Sequence, residues 1–274
     1  MESTPKPLVT ILIPHYKTLE LTKLCLRSLK KYTDLANVNI IVLDNGSKDA
    51  STEYLRTLDW ITLVEREPTQ GDRGPAIHCK SLDAGVAMVN TPYFLSFHTD
   101  TIVVSSQWLD FLLDAIRKKP GIAGVGSWKL EHKTFIKRLA KQVECFWQVK
   151  IWHPLLGRSG SNKVMGVGDN FYYLRSHCAL YDTELFKKHT NGFMDGEETA
   201  GKAPHQKLVE AGYEMVFLPS EELSQYVRHI NHATMVLNPE IAGKGSGSPK
   251  QYKRVMKEMS ALDYKQILSD SSLD

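Results

Sequence analysis

The chain alternates short, continuous apolar runs with longer stretches in which apolar residues recur every three or four positions. Residues 8–14 form an apolar run closed by proline, and Leu19, Thr22, Leu26 and Leu29 then fall at helical spacing. The couplet recurs at 39–43 with 50–58, at 61–64 with 76–89, and at 93–97 with 107–117. Four strand-then-helix alternations predict a parallel, doubly wound sheet with right-handed crossovers. Apolar runs without polar alternation are the mark of strands buried on both faces.

The second half is less regular. Residues 122–126 read as a further short strand, and 172–181, 213–218 and 225–229 as later ones, with a helix over 203–211. Residues 157–168, rich in Gly and Ser, read as a mobile loop, 243–249 as a linker and 251–267 as a charged tail helix. Within 131–152, Phe135, Leu139, Val143 and Phe146 make one helical face apolar, while Lys133, Lys137, Arg138, Lys141 and Lys150 make much of the rest basic. Such a helix packs on a sheet with its basic face solvated, or lies on an anionic membrane surface.

Composition narrows the picture. Of 274 residues 42% are hydrophobic and 24% charged, as in ordinary globular domains, and a net charge of +3 gives no case for nucleic acid as a partner. Cys25, Cys79, Cys145 and Cys178 are scattered without a CxxC pair, which argues against a zinc site or a disulfide framework and for reduced thiols. No run approaches the roughly 18 to 20 apolar residues of a membrane span, and residues 1–7 do not resemble a secretory signal, so a cytoplasmic protein is expected.

The candidate chemistry sits at two strand ends. The run 40–43 ends in Asp44, and 93–97 is followed by His98, Thr99 and Asp100. Ligands of open α/β sheets bind beyond the carboxyl ends of the strands, so both acids are expected at one rim. There a carboxylate accepts from a nucleobase or ribose, or holds a divalent cation against phosphates. The turn after the first strand, Pro14 to Lys17, lacks the glycines of a dinucleotide fingerprint or a phosphate-binding loop. The same lack disfavours a sugar-nucleotide pyrophosphorylase.

What remains is an ordered series: Ile13-Pro14-His15-Tyr16, then Leu43 to Asp49 (LDNGSKD), a turn containing Gly74, and Phe97-His98-Thr99-Asp100. It resembles the family-two glycosyltransferases of the GT-A fold, whose usual forms are I-P-x-Y-N, V-D-N-G-S-x-D and D-x-D. The likeness covers about residues 8–120, and more loosely 170–235. It implies an α/β fold: a doubly wound, mostly parallel central sheet flanked by helices, with a C-terminal helical extension. Residues 1–241 would form the domain, with a nucleotide-sugar half at 8–120 and an acceptor half at 121–241, followed by linker and tail at 242–274.

The resemblance also implies roles. Pro14 and Tyr16 match the turn lining the nucleobase, Asp44 the acid that hydrogen-bonds the base, and Arg73 a neighbour to it. Asp100 matches the last acid of D-x-D, which reaches the diphosphate through Mn²⁺ or Mg²⁺. His98 stands where the first acid would be, and its imidazole can donate to a ribose hydroxyl or ligate a transition metal. Residues 192–201 and 208–218 resemble the acceptor-side segment, with Glu198 first and Glu197 second as the base that deprotonates the acceptor hydroxyl. His229 and His232 resemble the strand-end histidines that some members direct at the metal.

The implied activity is inverting transfer of a hexosyl or deoxyhexosyl group from a UDP- or dTDP-sugar to a glycan or lipid-linked acceptor, in surface polysaccharide synthesis. The acceptor and the basic helix at 131–152 together suggest peripheral membrane contact. His98 in place of an acid leaves one alternative, a catalytically silent nucleotide-sugar-binding or scaffold protein.

Overall fold

The computed structural model describes residues 6–72, 74–130, 147, 171–196, 199–231, 233–238, 248–260 and 264–274. The expected basic helix at 131–152, apart from the exposed Trp147, and the loop at 157–168 lie outside these residues, as do Arg73, Glu197, Glu198 and His232. The strands are β1 (Val9–His15), β2 (Val38–Asp44), β3 (Thr62–Glu65), β4 (Tyr93–Phe97), β5 (Thr101–Val103), β6 (Ile122–Gly126), β7 (Cys178–Asp182), β8 (Glu214–Phe217) and β9 (Val227–His229). Seven of them form one sheet in the order β3-β2-β1-β4-β7-β6-β8, parallel except for β7.

The apolar runs form strands because both faces of the sheet are covered. On β1, Val9, Ile11 and Ile13 face one core cluster and Leu12 the other, and on β2 Ile40 and Val42 alternate in the same way with Ile41 and Leu43. The first cluster takes in α1 (Leu19–Tyr32), α2 (Ala50–Arg56) and α4 (Trp108–Arg117). The second lies under α3 (Gly74–Met88) and α5 (Thr183–His189), where Phe94, Tyr181, Phe186 and Phe193 stack and cross with ring centroids 4.9–6.3 Å apart.

Three elements differ from expectation. The strand expected over 172–181 begins only at Cys178, because Tyr172 and Tyr173 turn edge-on to Trp128 and the Arg175 amide bonds the Ser127 carbonyl at 3.1 Å. The strand expected over 225–229 shortens to β9 and pairs with β5 in a separate two-stranded ribbon. The tail forms two helices, Pro249–Ser260 and Tyr264–Ser269, which complete the first cluster through Val255, Met259 and Ile267. Arg27 of α1, 4% exposed, ties this tail down: Nε and Nη2 donate to the Asp274 carboxylate at 2.8 and 2.6 Å, and Nη1 donates to the Leu268 carbonyl. Among the described residues no helix is long and apolar enough to cross a membrane.

Chain order and sheet order diverge at β1. The chain runs outward through β2 and β3 and then returns to add β4 on the other side of β1, so the crevice of the doubly wound sheet opens at the carboxyl ends of β1 and β4. Further along the sheet, where β7 pairs with β6, there is no room for a side chain at Gly126: a Cβ there would lie 2.9 Å from the Cys178 carbonyl oxygen and 3.2 Å from Ala179 Cα. Gly126→Ala is therefore expected to lower stability by about 1–3 kcal/mol, read as a fall in the urea midpoint at unchanged slope.

Candidate active site

At the end of β2, Asp44 is 1% exposed, and its carboxylate is engaged by its own chain. His15 Nδ1 donates to Oδ1 at 3.0 Å, the Ser47 amide and hydroxyl donate to the same oxygen, and Thr52 Oγ1 donates to Oδ2 at 2.7 Å. Burial opposes ionisation, but these bonds outweigh it and bring the carboxyl down to about 2. The amide of Lys17 donates to Ser47 Oγ at 2.8 Å, so the turn after β1 is fastened to the turn after β2. Lys17 and Thr18 both have left-handed backbones, with φ of 54° and 63°. Asp44 thus braces two turns at the rim. Pro14 is buried in β1 opposite Leu43, and Tyr16 is partly exposed beyond it. Asp49 caps α2, accepting from the Ser51 amide at 2.9 Å.

The second acid is arranged differently. Asp100, 6% exposed, sits in the turn between β4 and β5, where the Thr101 amide bonds the His98 carbonyl at 3.0 Å. The ribbon pairs Thr101 with His229, and the Ile230 amide donates to the Asp100 carbonyl at 2.8 Å. This brings His229 Nε2 to 3.1 Å from Asp100 Oδ1, while His98 Nδ1 stands 3.6 Å from the same oxygen. Neither contact is an aligned hydrogen bond, so Oδ1 is buried without a hydrogen-bond partner. Burial alone would raise the Asp100 carboxyl, yet the two imidazoles hold it far below the usual carboxylate range, and burial pushes His98 down toward its neutral form.

His98, Asp100 and His229 offer ligand atoms all within 4.8 Å of one another. Ligands about 2.0–2.2 Å from a shared ion lie at most about 4.4 Å apart, which the 3.1 and 3.6 Å separations from Asp100 Oδ1 meet and a widest spacing near 4.8 Å approaches to within a few tenths of an ångström. The orphaned Oδ1 and two imidazoles suit a first-row divalent cation, so the residues present fit the group the sequence leads one to expect. His98, expected mainly beside the nucleotide, thus joins Asp100 and His229 at the metal-type cluster.

Sequence reasoning missed the groups behind these ligands. β7 runs antiparallel to β4 with Cys178 opposite Phe97, so Ser176 and His177 lie over His98, whose amide donates to the His177 carbonyl at 3.3 Å. Ser176 Oγ lies 2.9 Å from His98 Nε2 and 3.1 Å from His78 Nε2 on α3. The His177 ring stacks on His229, centroids 4.7 Å apart and planes 15° from parallel, and its Nε2 is 3.1 Å from Ser127 Oγ. A Ser-His pair at a strand start was the available signal, but only the reversed strand gives it meaning.

The described residues that flank 197–198 are held in place. Asp83 of α3 accepts from the amides of Phe193 and Met194 at 2.6 and 3.1 Å, and a Cβ on Gly192 would lie 2.4 Å from its Oδ1. Gly201, with φ of 96°, lies so near the Leu174 carbonyl that a Cβ would come within 2.3 Å of its oxygen. Phe171, Tyr172, His205, Gln206, Val209 and Glu210 line an apolar hollow of about 320 Å³, and the chain runs from it through Leu174 to Ser176.

The doubly wound sheet with its switch-point crevice is of GT-A type, with a histidine-carboxylate cluster after β4. Residues 10–189 match the model of Glycosyl transferase family 2, and the chain belongs to that family. Among solved structures it resembles the mannosyltransferase PcManGT from Pyrobaculum calidifontis in complex with GDP-Man and Mn²⁺, at 15% identity and a TM-score of 0.54, covering 97% of this chain and 73% of that one. It also resembles S. aureus TarS 1-349, at 14% identity and a TM-score of 0.50, covering 95% and 69%. An uncharacterized protein of Sinorhizobium fredii, y4gI, is 30% identical over 131 residues, which are 46% of this chain. The match spans only 14% of that relative's length.

The Asp44 network has a measurable consequence. A carboxyl held at about 2 contributes stability that is fully present above its ordinary value of about 4 and is lost as pH falls through about 2. Asp44→Asn, whose amide would face donors, is expected to cost about 2–4 kcal/mol at pH 7 in urea unfolding. The gap from wild type should narrow between about pH 4 and pH 2.

Proposed function

We propose that this protein is an inverting glycosyltransferase that moves a hexosyl or deoxyhexosyl group from a UDP- or dTDP-sugar to a hydroxyl of a glycan or lipid-linked acceptor in surface polysaccharide synthesis. The observation that carries this reading is the buried, unpartnered Asp100 Oδ1 faced by His98 and His229 at the switch-point crevice. These three residues would hold Mn²⁺ or Mg²⁺, with His232 three positions beyond β9 as a further candidate. Bound there, the ion supplies positive charge against the leaving diphosphate. The GDP-Man and Mn²⁺ of the Pyrobaculum enzyme support a nucleotide-sugar and cation pairing on this fold.

The protein's own groups do the rest. The turns braced by Asp44, with Pro14, Tyr16 and Arg73, form the nucleoside wall. Glu198, or else Glu197, removes the proton of the acceptor hydroxyl as its oxygen bonds C1 from the face opposite the breaking C1–O bond. Asp83 and Gly201 anchor the described residues before and after those two acids, which supports this assignment. The apolar hollow beside α6 (Lys202–Glu210) suits the aglycone or ring faces of the acceptor.

Sugar release to water from UDP-, dTDP- and GDP-sugars, with and without Mn²⁺, tests the reading. One donor class should be hydrolysed with Mn²⁺ stimulation, and Asp100→Ala should lose at least about 100-fold. With acceptor, Glu198→Gln should lower transfer by about 10²–10⁴-fold. A donor that binds but is never cleaved would establish the silent binding protein instead. Peripheral membrane contact through residues 131–152 predicts co-sedimentation with anionic vesicles that is lost on charge reversal at Lys137, Arg138 and Lys141.

A further inference from the structure

We infer that Ser176 and His78 form a hydrogen-bond relay that fixes the tautomer of His98 and so keeps its Nδ1 lone pair aimed at the cation position. The inference rests on the metal site proposed above and goes beyond it, to two residues that touch neither donor nor ion.

A serine hydroxyl has one hydrogen to give, and Ser176 Oγ lies between two imidazole nitrogens, His98 Nε2 at 2.9 Å and His78 Nε2 at 3.1 Å. Oγ could also accept from both Nε2–H groups, but its own hydrogen would then have no acceptor among the described residues, which leaves two arrangements. In one, His98 Nε2–H donates to Oγ and the hydroxyl donates to a bare His78 Nε2. In the other the chain runs backward, and His98 carries its proton on Nδ1.

The surroundings of Nδ1 decide between them. Its nearest acceptor, Asp100 Oδ1, is 3.6 Å away, beyond hydrogen-bond reach, and that oxygen takes no aligned bond. A proton on Nδ1 would point at an oxygen too far off for a hydrogen bond and would occupy the face a cation needs. The forward arrangement leaves Nδ1 bare and satisfies all three polar groups of the relay. Ser176 is 6% exposed and lies two positions before β7, and His78 is set in α3, so the relay is held between a strand start and a helix. Groups that hold the far nitrogen of a ligating histidine set its orientation and basicity, and losing them costs about 10–100-fold in metal affinity.

Two measurements on the full chain test this. Long-range ¹H–¹⁵N correlation of the metal-free protein should show His98 protonated on Nε2 and His78 on Nδ1, the minor tautomer of free imidazole. The reverse pair of tautomers would overturn the relay whatever the metal does. Mn²⁺ binding, followed by loss of the free-ion EPR signal, should weaken about 10–100-fold in Ser176→Ala and His78→Leu. It should recover in Ser176→Thr, which keeps a hydroxyl, and in His78→Gln, whose amide oxygen still accepts. Wild-type Mn²⁺ binding with variants within twofold of it removes the relay and leaves the metal site standing. Absence of Mn²⁺ binding by wild type removes both. If Ser176→Ala does not fold, the His78 pair and the tautomers still decide.

Discussion

A carboxylate buried among imidazoles is the constraint around which this site is built. Burying an ionised acid costs several kcal/mol unless charge or hydrogen bonds compensate it, and Asp100 is 6% exposed. Its compensation comes from separate pieces of chain. β4 delivers His98, the β5–β9 ribbon delivers His229, and the start of β7 places Ser176 and His177 behind them. The small ribbon, marginal as secondary structure, matters because its pairing of Thr101 with His229 brings the second imidazole to 3.1 Å.

The two acids of the rim share a residue type and a position at the end of a parallel strand, yet differ in how far their own chain satisfies them. Around Asp44, donors from β1, the following turn and α2 take up the carboxylate, and the product is a rigid pair of turns. Around Asp100 one oxygen is left facing two nitrogens without a bond. A closed network gives shape, and an open one leaves acceptor capacity unused. The sequence treats both as strand-end acids, and side-chain saturation separates them.

The strand-helix couplets of the first half were legible because parallel strands covered on both faces read as unbroken apolar runs, and 93–97 and 122–126 are strands at those bounds. β5 escaped notice because three residues carry no period. The aromatic run before β7 imitates a strand, while its rings pack on Trp128. Asp44, Asp100 and His229 were legible as groups at strand ends. His15, His78, Ser176 and His177 were not, because each acquires its partner through pairing or packing across 29 to 98 residues. The tail's helical period was visible, whereas its docking depends on Arg27, 240 positions and more away in sequence.

The single reversed strand makes the site sensitive to frame. Because side chains alternate with a period of two, sliding β7 by one residue along β4 would exchange Ser176 for His177 above His98 and turn Ala179 and Tyr181 out of the core they fill. The apolar packing of Phe94, Tyr181, Phe186 and Phe193, far from any ligand, therefore selects which hydroxyl meets which imidazole. Chemistry at the rim is indexed by grease at the centre.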